Sequence, residues 1–431
     1  TGKTTTIIHS ILHTLKDEKQ VLVCAPSNAA VDLLVEKLAK KGASVVRIGH
    51  PARVTKTILN RTLDFLISNH EDYSNLRVVR KQADEYRKLA GKYKRNFEKE
   101  ERQQRKLLYS EARKLRDEAK QLAFYITNNV ISNAQVIACT MIGANNYYIK
   151  ERTFSTVFID EAAQGLEPAT WIPIIKADRV IFAGDHFQLP PTVKSFNAAK
   201  QGLSTTLFEK TIDRNNADVM LEEQYRMNEK IMNFSAEYFY KNKLFANKAV
   251  KNHLVFEHDK AVEFVDTAGI GFAEEINEET KSTFNREEAE LLFKHLIDYL
   301  YIVEKKEKQS EIENIAVISP YKAQIVFMQE YFNESVILPD EIKAKISINT
   351  IDSFQGQERD VIYISLVRSN QNGQIGFLSD VRRMNVAMTR ARKKLVIFGD
   401  SGTICKHKFY DKFVDYVNRI DAYKSAYEIL Y

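Results

Sequence analysis

The sequence predicts an α/β protein of two parallel-sheet halves, the first interrupted by a charged helical insertion. Three observations predict it. Short apolar runs alternate with amphipathic segments, and the runs end in polar or glycine residues. Several are continuous rather than alternating, as parallel strands buried on both faces are. The pattern breaks off after Ile48, resumes at Gln135, and begins a second cycle beyond Arg214. At roughly 150 residues per domain, 431 residues accommodate two such units. The expected division is 1–213 and 214–431, with the insertion at about 70–126.

In the first half, Thr4 to Leu15 reads as a helix, Gln20 to Cys24 as a strand, Ala29 to Leu38 as a helix and Val45 to Ile48 as a strand. The insertion follows. From Leu76 to Gln121 there are 16 Lys/Arg and 8 Asp/Glu, an excess of 16 − 8 = +8 against +6 for the whole chain. Apolar positions at Tyr86, Leu89, Tyr93 and Phe97, then at Leu108, Ala112, Leu115, Ala119 and Leu122, step by three and four as a helical seam does. The block reads as two long solvated antiparallel helices; its charge also suits a basic arm near a nucleic acid. Val136 to Cys139, Thr156 to Ile159 and Arg179 to Ala183 are the later strands of this half.

In the second half, Val262 to Val265, Ile315 to Ile318, Ile346 to Ile348, Val361 to Leu366 and Leu395 to Phe398 read as strands. Arg286 to Tyr301 and Tyr321 to Phe332 read as helices, and acidic Glu274 to Asn285 as an exposed loop. Charged residues are 28% and hydrophobic residues 44%, which excludes a disordered chain. No apolar run approaches the ~18 residues of a membrane-spanning helix. Three scattered cysteines, Cys24, Cys139 and Cys405, argue against a disulfide scaffold or zinc cluster and for a reducing, intracellular compartment. Cytoplasm and nucleus are not distinguished.

The residues that carry chemistry follow the predicted strands, where open α/β sheets bind ligands. Thr1-Gly2-Lys3-Thr4 is the end of a phosphate loop. The pattern G-x-x-x-x-G-K-[ST] places its first glycine four residues before Thr1, so the chain is expected to begin inside that loop. Backbone N–H groups and a helix N-terminus would hold phosphates, the lysine would reach the β/γ oxygens and the hydroxyl would bind Mg2+. Asp160 and Glu161 close the run Thr156–Ile159; one carboxylate at a strand end can hold Mg2+ and the next can polarise an attacking water. Gly184 to Pro191 offers Gln188 to a γ-phosphate. Tyr225 can stack on a base, and Arg226 can neutralise transition-state charge. Arg382 to Arg392 reads as a basic helix, with Arg383 and Arg390 on nearly one face and Arg392, Lys393 and Lys394 on a solvated one.

Taken in order, Thr1–Thr6, Ala25–Asp32, Asp160–Gln164, Gly184–Pro191, Gln224–Met227, Asn349–Glu358 and Val386–Arg392 resemble the motifs of superfamily 1 helicases. Asp-Glu-Ala-Ala-Gln, Gly-Asp-His-x-Gln-Leu-Pro-Pro and Gln-Tyr-Arg-Met look like the 1B branch of nonsense-mediated-decay and Smubp-type helicases, and the likeness runs from Thr1 to Tyr431. The resemblance implies two RecA-like P-loop domains, with ATP in the cleft between them and a single strand of DNA or RNA across the top. It implies that Gly2, Lys3, Thr4 and Thr5 hold the phosphates, with Thr4 and Asp160 on Mg2+. Glu161 would activate water, Gln188 would contact the γ-phosphate, and Arg226 and Arg390 would act as arginine fingers. Tyr225 would pack on the adenine and Glu358 approach the nucleotide. Ser27, Asn28, Thr140, Pro190 and Thr350 would line the strand path, and the charged block matches the family's stalk.

The expected activity is an ATP-dependent 5′-to-3′ helicase, working as a monomeric motor on single-stranded DNA or RNA and away from any membrane. The competing expectation is a nucleic-acid-stimulated ATPase that remodels protein–nucleic-acid complexes. A P-loop kinase needs one nucleotide domain and an acceptor pocket, and leaves Arg226 and Arg390 unexplained.

Overall fold

The computed structural model describes residues 2–92, 99–215, 217–354 and 357–430. The readings at Thr1, Tyr93, Phe97, Gln355, Gly356 and Tyr431 lie outside them. Packing divides the chain into two units. One comprises Lys3–Asp185 and Pro190–Ala217; the other comprises Asp218–Tyr431 with the short segments Thr1–Gly2 and His186–Leu189.

The first unit opens with α1 (Lys3–Thr14), β1 (Val21–Ala25), α2 (Asn28–Lys40) and β2 (Val45–Arg47). The small helix α3 (Leu63–Ser68) leads to α4 (Tyr73–Gly91) and α5 (Lys99–Asn133), followed by β3 (Val136–Thr140) and β4 (Phe154–Ile159). After α6 (Glu167–Ile174) come β5 (Ala177–Phe182), α7 (Phe196–Ala198) and α8 (Leu207–Asn215). The five strands form one parallel sheet in the order β2-β3-β1-β4-β5. Every residue of β1 is buried, which explains why Val-Leu-Val-Cys-Ala shows no alternation. On one face Ile7, Ile8 and Ile11 of α1 and Val31, Leu34 and Val35 of α2 close over it. Each such side chain contributes about 1.5–3 kcal/mol of burial.

Helices α4 and α5 pair as the charged block predicts, but the α4 seam is not the expected one. Leu76, Ala83 and Ala90 are the buried residues, a strict seven-residue repeat, while Tyr86 and Leu89 are exposed. On α5 the buried residues are Ala112, Ala119, Ile126, Thr127 and Ile131; of the expected positions only Ala112 and Ala119 are buried, while Leu108, Leu115 and Leu122 are half-buried. Leu76 packs with Ala119 and Ile126 in the cluster between the two helices.

The second unit runs from β6 (Glu223–Gln224), α9 (Glu229–Phe239) and β7 (Phe245–Ala246) to β8 (Val262–Asp266). A small antiparallel pair, β9 (Glu275–Ile276) and β10 (Thr283–Phe284), precedes α10 (Arg286–Lys305), β11 (Ile315–Ser319) and α11 (Lys322–Ser335). Then follow α12 (Asp340–Lys343), β12 (Ile346–Thr350), β13 (Arg359–Ser365), α13 (Val381–Met388) and β14 (Ala391–Gly399). Helices α14 (Ser401–Ile404) and α15 (Lys408–Arg419), strand β15 (Tyr423–Ser425) and α16 (Tyr427–Leu430) close the chain. The main sheet is parallel, in the order β12-β11-β13-β14-β8-β15. Among the described residues no helix is long and apolar enough to cross a membrane.

Three expectations fail in this unit. The acidic stretch Glu274–Asn285 is not a simple exposed loop: it carries the β9–β10 pair, Glu274 pairs with Arg368 at 2.9 Å, and Asn285 is fully buried as the N-cap of α10. Arg390 does not share a helix with Arg383, because α13 stops at Met388 and Ala391 already begins β14. The Thr389 hydroxyl donates to the Asn385 carbonyl, a local bond that accompanies the stop. Lys393 and Lys394 are not solvated either. They lie buried in β14, Lys393 paired with Glu311 and Lys394 with Asp259 and Glu263.

Glu288, fully buried on α10, accepts from the Ser365 hydroxyl at 2.5 Å and from the Val367 N–H at 2.9 Å. Val367 has a left-handed backbone (φ 72°) that a β-branched residue rarely adopts. Burial pushes Glu288 up to about 7, opposed by those donors and reinforced by Asp400. The folded chain therefore keeps a proton there that the unfolded chain releases near 4.5, so this group lowers stability as pH rises from about 4.5 to 7. The Glu288→Gln variant keeps an acceptor for Ser365 and removes the ionisation. We expect it to melt above the parent at pH 8, with the difference shrinking towards pH 5, in scans of melting temperature against pH.

Candidate nucleotide-hydrolysis site

In the first unit the residues of interest gather where strands end. Just ahead of this unit's first residue, Lys3, Gly2 has φ 86°, which favours glycine, and leads directly into α1. Lys3 thereby occupies the first turn, with its ammonium 3.9 Å from Asp185. Thr4 is half-buried beside it and Thr5 is exposed. Asp185 comes just after β5, and its pairing with Lys3 ties the loop end to the neighbouring strand end.

Asp160 and Glu161 follow β4. Asp160 is buried, its backbone N–H donates to the Cys24 carbonyl, and its carboxylate accepts the Glu161 N–H at 2.9 Å. Burial, and next the charge of Glu161, push Asp160 up to about 6; the Glu161 N–H and Lys3 pull the other way. A buried carboxylate raised in this way is chemically suited to a divalent cation, whose charge would favour ionisation. Glu161 has a left-handed backbone (φ 51°), a conformation that costs a non-glycine residue about 1–2 kcal/mol. Gln164 donates to the Glu161 carboxylate at 2.9 Å.

The expected strand-path residues of this unit sit on the same sheet edge. Ser27 caps α2 after β1, accepting the Ala30 N–H. Asn28 is held by Arg47, which donates to its Oδ1 at 2.8 Å and to Asp32 at 2.9 Å. Thr140 ends β3 and accepts the Gly143 N–H. Pro190 belongs to this unit, while Gln188 clusters with the second one.

Arg47 escaped the sequence reading. Its signal is one charge inside the apolar run Val45-Val46-Arg47-Ile48, and the side chain is 1% exposed. Removing it would strand the Asp32 carboxylate. We expect Arg47→Ala to cost about 3–5 kcal/mol, read as a fall in melting temperature. Restoring the charge alone with Arg47→Lys should recover little, because one ammonium cannot reproduce the planar fork.

In the second unit, three segments distant in sequence converge. Arg226 donates to Glu358 at 2.7 Å and to the Thr389 carbonyl at 3.0 Å, next to Arg390. Its loop is fixed by Gln224, whose side-chain oxygen accepts the N–H groups of Arg226 and Met227. Arg390 is buried. Tyr225 is exposed and donates to Glu223 at 2.6 Å. Arg392, also missed as a site neighbour, lies 3.8 Å from Glu358 and 3.5 Å from Asp360. Thr350 ends β12 with its hydroxyl 3.1 Å from Ser353.

Two parallel α/β units, with a Gly-Lys-Thr loop end beside paired carboxyls at a strand end, define a protein of the P-loop class. Two sequence-family profiles, each described as an AAA domain, match residues 1–196 and 203–402. The chain is 34% identical over 445 residues to the rat DNA-binding protein SMUBP-2, covering all of this chain and 43% of that protein. It is 34% identical over 468 residues to an uncharacterized ATP-dependent helicase of Methanocaldococcus jannaschii, covering 98% of this chain and 67% of that one. It is 33% identical over 436 residues to the DNA polymerase alpha-associated DNA helicase A of Schizosaccharomyces pombe, covering 97% and 62%. The chain belongs to the superfamily 1B helicases. It spans less than half the length of the SMUBP-2 proteins it matches.

Proposed function

We propose that the protein is an ATP-driven motor that moves 5′-to-3′ along single-stranded DNA or RNA and opens duplexes ahead of it. The observation that carries this reading is the convergence of Arg226, Glu358 and the Thr389–Arg390 turn in a second α/β unit. A simple nucleotide-binding domain has no use for such a cluster. The names of the relatives support the reading, and the direction follows the family pattern.

In this mechanism Lys3 neutralises phosphate charge from the first turn of α1, where free N–H groups also point at an anion. Thr4 and Asp160 are the residues that would hold Mg2+, which supplies Lewis-acid stabilisation of phosphate charge. Glu161, held by the Gln164 amide, orients and deprotonates the attacking water. Gln188 senses the γ-phosphate. Arg226 and Arg390 supply charge-assisted bonds to the transferring group, and Arg226 leaves Glu358 to do so. Tyr225 offers an aromatic face to the base. Ser27, Asn28, Thr140, Pro190 and Thr350 contact the strand through sugar and phosphate, so grip is sequence-independent and salt-sensitive.

The test is strand displacement on duplexes with a 5′ or a 3′ single-stranded tail, using protein whose phosphate loop is complete. The expected result is unwinding of the 5′-tailed duplex only. Unwinding from the 3′ tail alone would overturn the direction. Strand-stimulated hydrolysis with neither duplex opened would support the remodelling ATPase instead.

A further inference from the structure

The α4–α5 pair sorts its charges by face. At 3.6 residues per turn, Arg102, Lys106, Arg113 and Lys120 fall within roughly 40° of one another on one flank of α5, about a quarter turn from the Ala112–Ala119 seam. Glu100, Glu111 and Glu118 fall on the opposite flank. On α4, Arg77, Arg80, Arg87 and Lys88 likewise share one flank of the Leu76–Ala83–Ala90 seam. The two helices run antiparallel, and Leu76 packs with Ala119 and Ile126. Reversing one helix reverses the sense of its wheel, so both basic flanks point to the same side of the pair.

The result is a plate with two rows of exposed cations and, among the acids, only Asp84 and Asp117 on that side. From Arg102 to Lys120 it extends about 27 Å at ~1.5 Å per residue. Arg80, Arg87, Lys106 and Arg113 have no acidic partner among the described residues; on the same face Lys120 pairs with Asp117 at 3.3 Å, and on the other face Lys114 pairs with Glu111 at 2.7 Å. Uniform solvation does not require charges to be sorted in this way; a polyanion lying along one face does.

We propose that this face is a docking surface for the phosphate backbone of duplex nucleic acid, separate from the strand path at the sheet edge. The identity of the polyanion rests on the reading of the chain as a nucleic-acid motor. A duplex suits the geometry. It is a straight rod over this length and presents one charge per ~1.7 Å, so a rigid plate meets phosphates along its whole extent. Contact of this kind steadies the unopened duplex without reading its sequence.

The experiment compares Arg80→Glu/Arg87→Glu/Lys106→Glu/Arg113→Glu with the parent and with a control of equal charge change, Lys243→Glu/Lys248→Glu/Lys281→Glu/Lys306→Glu. Binding to a blunt duplex, to a single strand and to anionic lipid vesicles is followed by anisotropy or flotation over a salt series. Helix content is checked by circular dichroism. The expected result is a loss of tenfold or more in duplex affinity for the stalk variant alone, with the slope of log K against log salt flattened by about 3–4, at ~0.9 per lost phosphate contact. Single-strand binding stays within twofold, which separates this proposal from the motor reading: loss of single-strand binding by the parent itself would sink the latter. Unchanged duplex affinity, an equal loss on single strands, an equal loss in the control, or a loss confined to vesicles would each overturn the docking surface.

Discussion

Replacing Glu161 by Gln is expected to lower steady-state ATP hydrolysis about 10²–10⁴-fold while leaving nucleotide binding intact. The substitution is nearly isosteric, and the side chain retains an oxygen for the Gln164 amide. The left-handed turn at position 161 costs Gln what it costs Glu, so the local backbone has no reason to change. Only the proton acceptor is lost. The charge of Glu161 is also one of the causes that raise Asp160 to about 6. Removing it lets Asp160 ionise more readily, so nucleotide with Mg2+ should bind as well as before or better. Asp160→Asn should behave differently and lose binding together with turnover. The measurement is strand-stimulated hydrolysis beside equilibrium binding of a fluorescent nucleotide, in protein with a complete phosphate loop. A Glu161→Gln enzyme turning over within threefold of the parent would remove Glu161 from the role of base.

Much of this arrangement was legible before any coordinates. Buried parallel strands announce themselves as uninterrupted apolar runs, and polar groups follow their ends, so Asp160 and Glu161 could be placed at the end of a strand from pattern alone. What the pattern hides is packing between side chains distant in sequence. In α4, hydrophobicity drew attention to Tyr86 and Leu89, yet the buried positions are Leu76, Ala83 and Ala90, and the two alanines carry little hydrophobic signal. Arg47 and Lys394 defeat the rule that charges face water, because each meets carboxylates from elsewhere in the chain: Asp32 for one, Asp259 and Glu263 for the other. The Arg226–Glu358 pair spans 132 positions, and no local period reports it. The candidate residues were visible in the sequence, while the partners that position them were not.

Lys394→Met is expected to be among the most destabilising single changes in the second unit, at about 3–5 kcal/mol. The Lys394 side chain is 1% exposed and lies 2.9 Å from Asp259, in contact with Glu263 as well. It sits over the Tyr299 ring at 4.6 Å. Burial alone would raise Glu263, yet the His295 ring and the Lys394 ammonium together hold it down to about 2. That depressed carboxyl stabilises the fold above its ordinary value of 4.5 and loses the contribution as pH falls from about 4.5 to 2. Methionine fills the volume of the lysine stem but removes the ammonium that bridges Asp259 and Glu263, leaving the His295 ring beside Glu263 alone. In a domain of this size the loss corresponds to a fall of roughly 10 °C in the melting temperature of that unit. Neutralising the carboxylates separates charge from packing. Adding Asp259→Asn and Glu263→Gln to Lys394→Met should restore at least half of the lost stability, because isolated buried charge, rather than lost attraction, is what the single variant suffers. Acid unfolding should follow suit, with the triple variant showing a shallower loss below pH 4.5 than the parent. A triple variant no more stable than Lys394→Met would mean that the lysine acts through its stem and the Tyr299 contact, and the electrostatic account of this strand would fail.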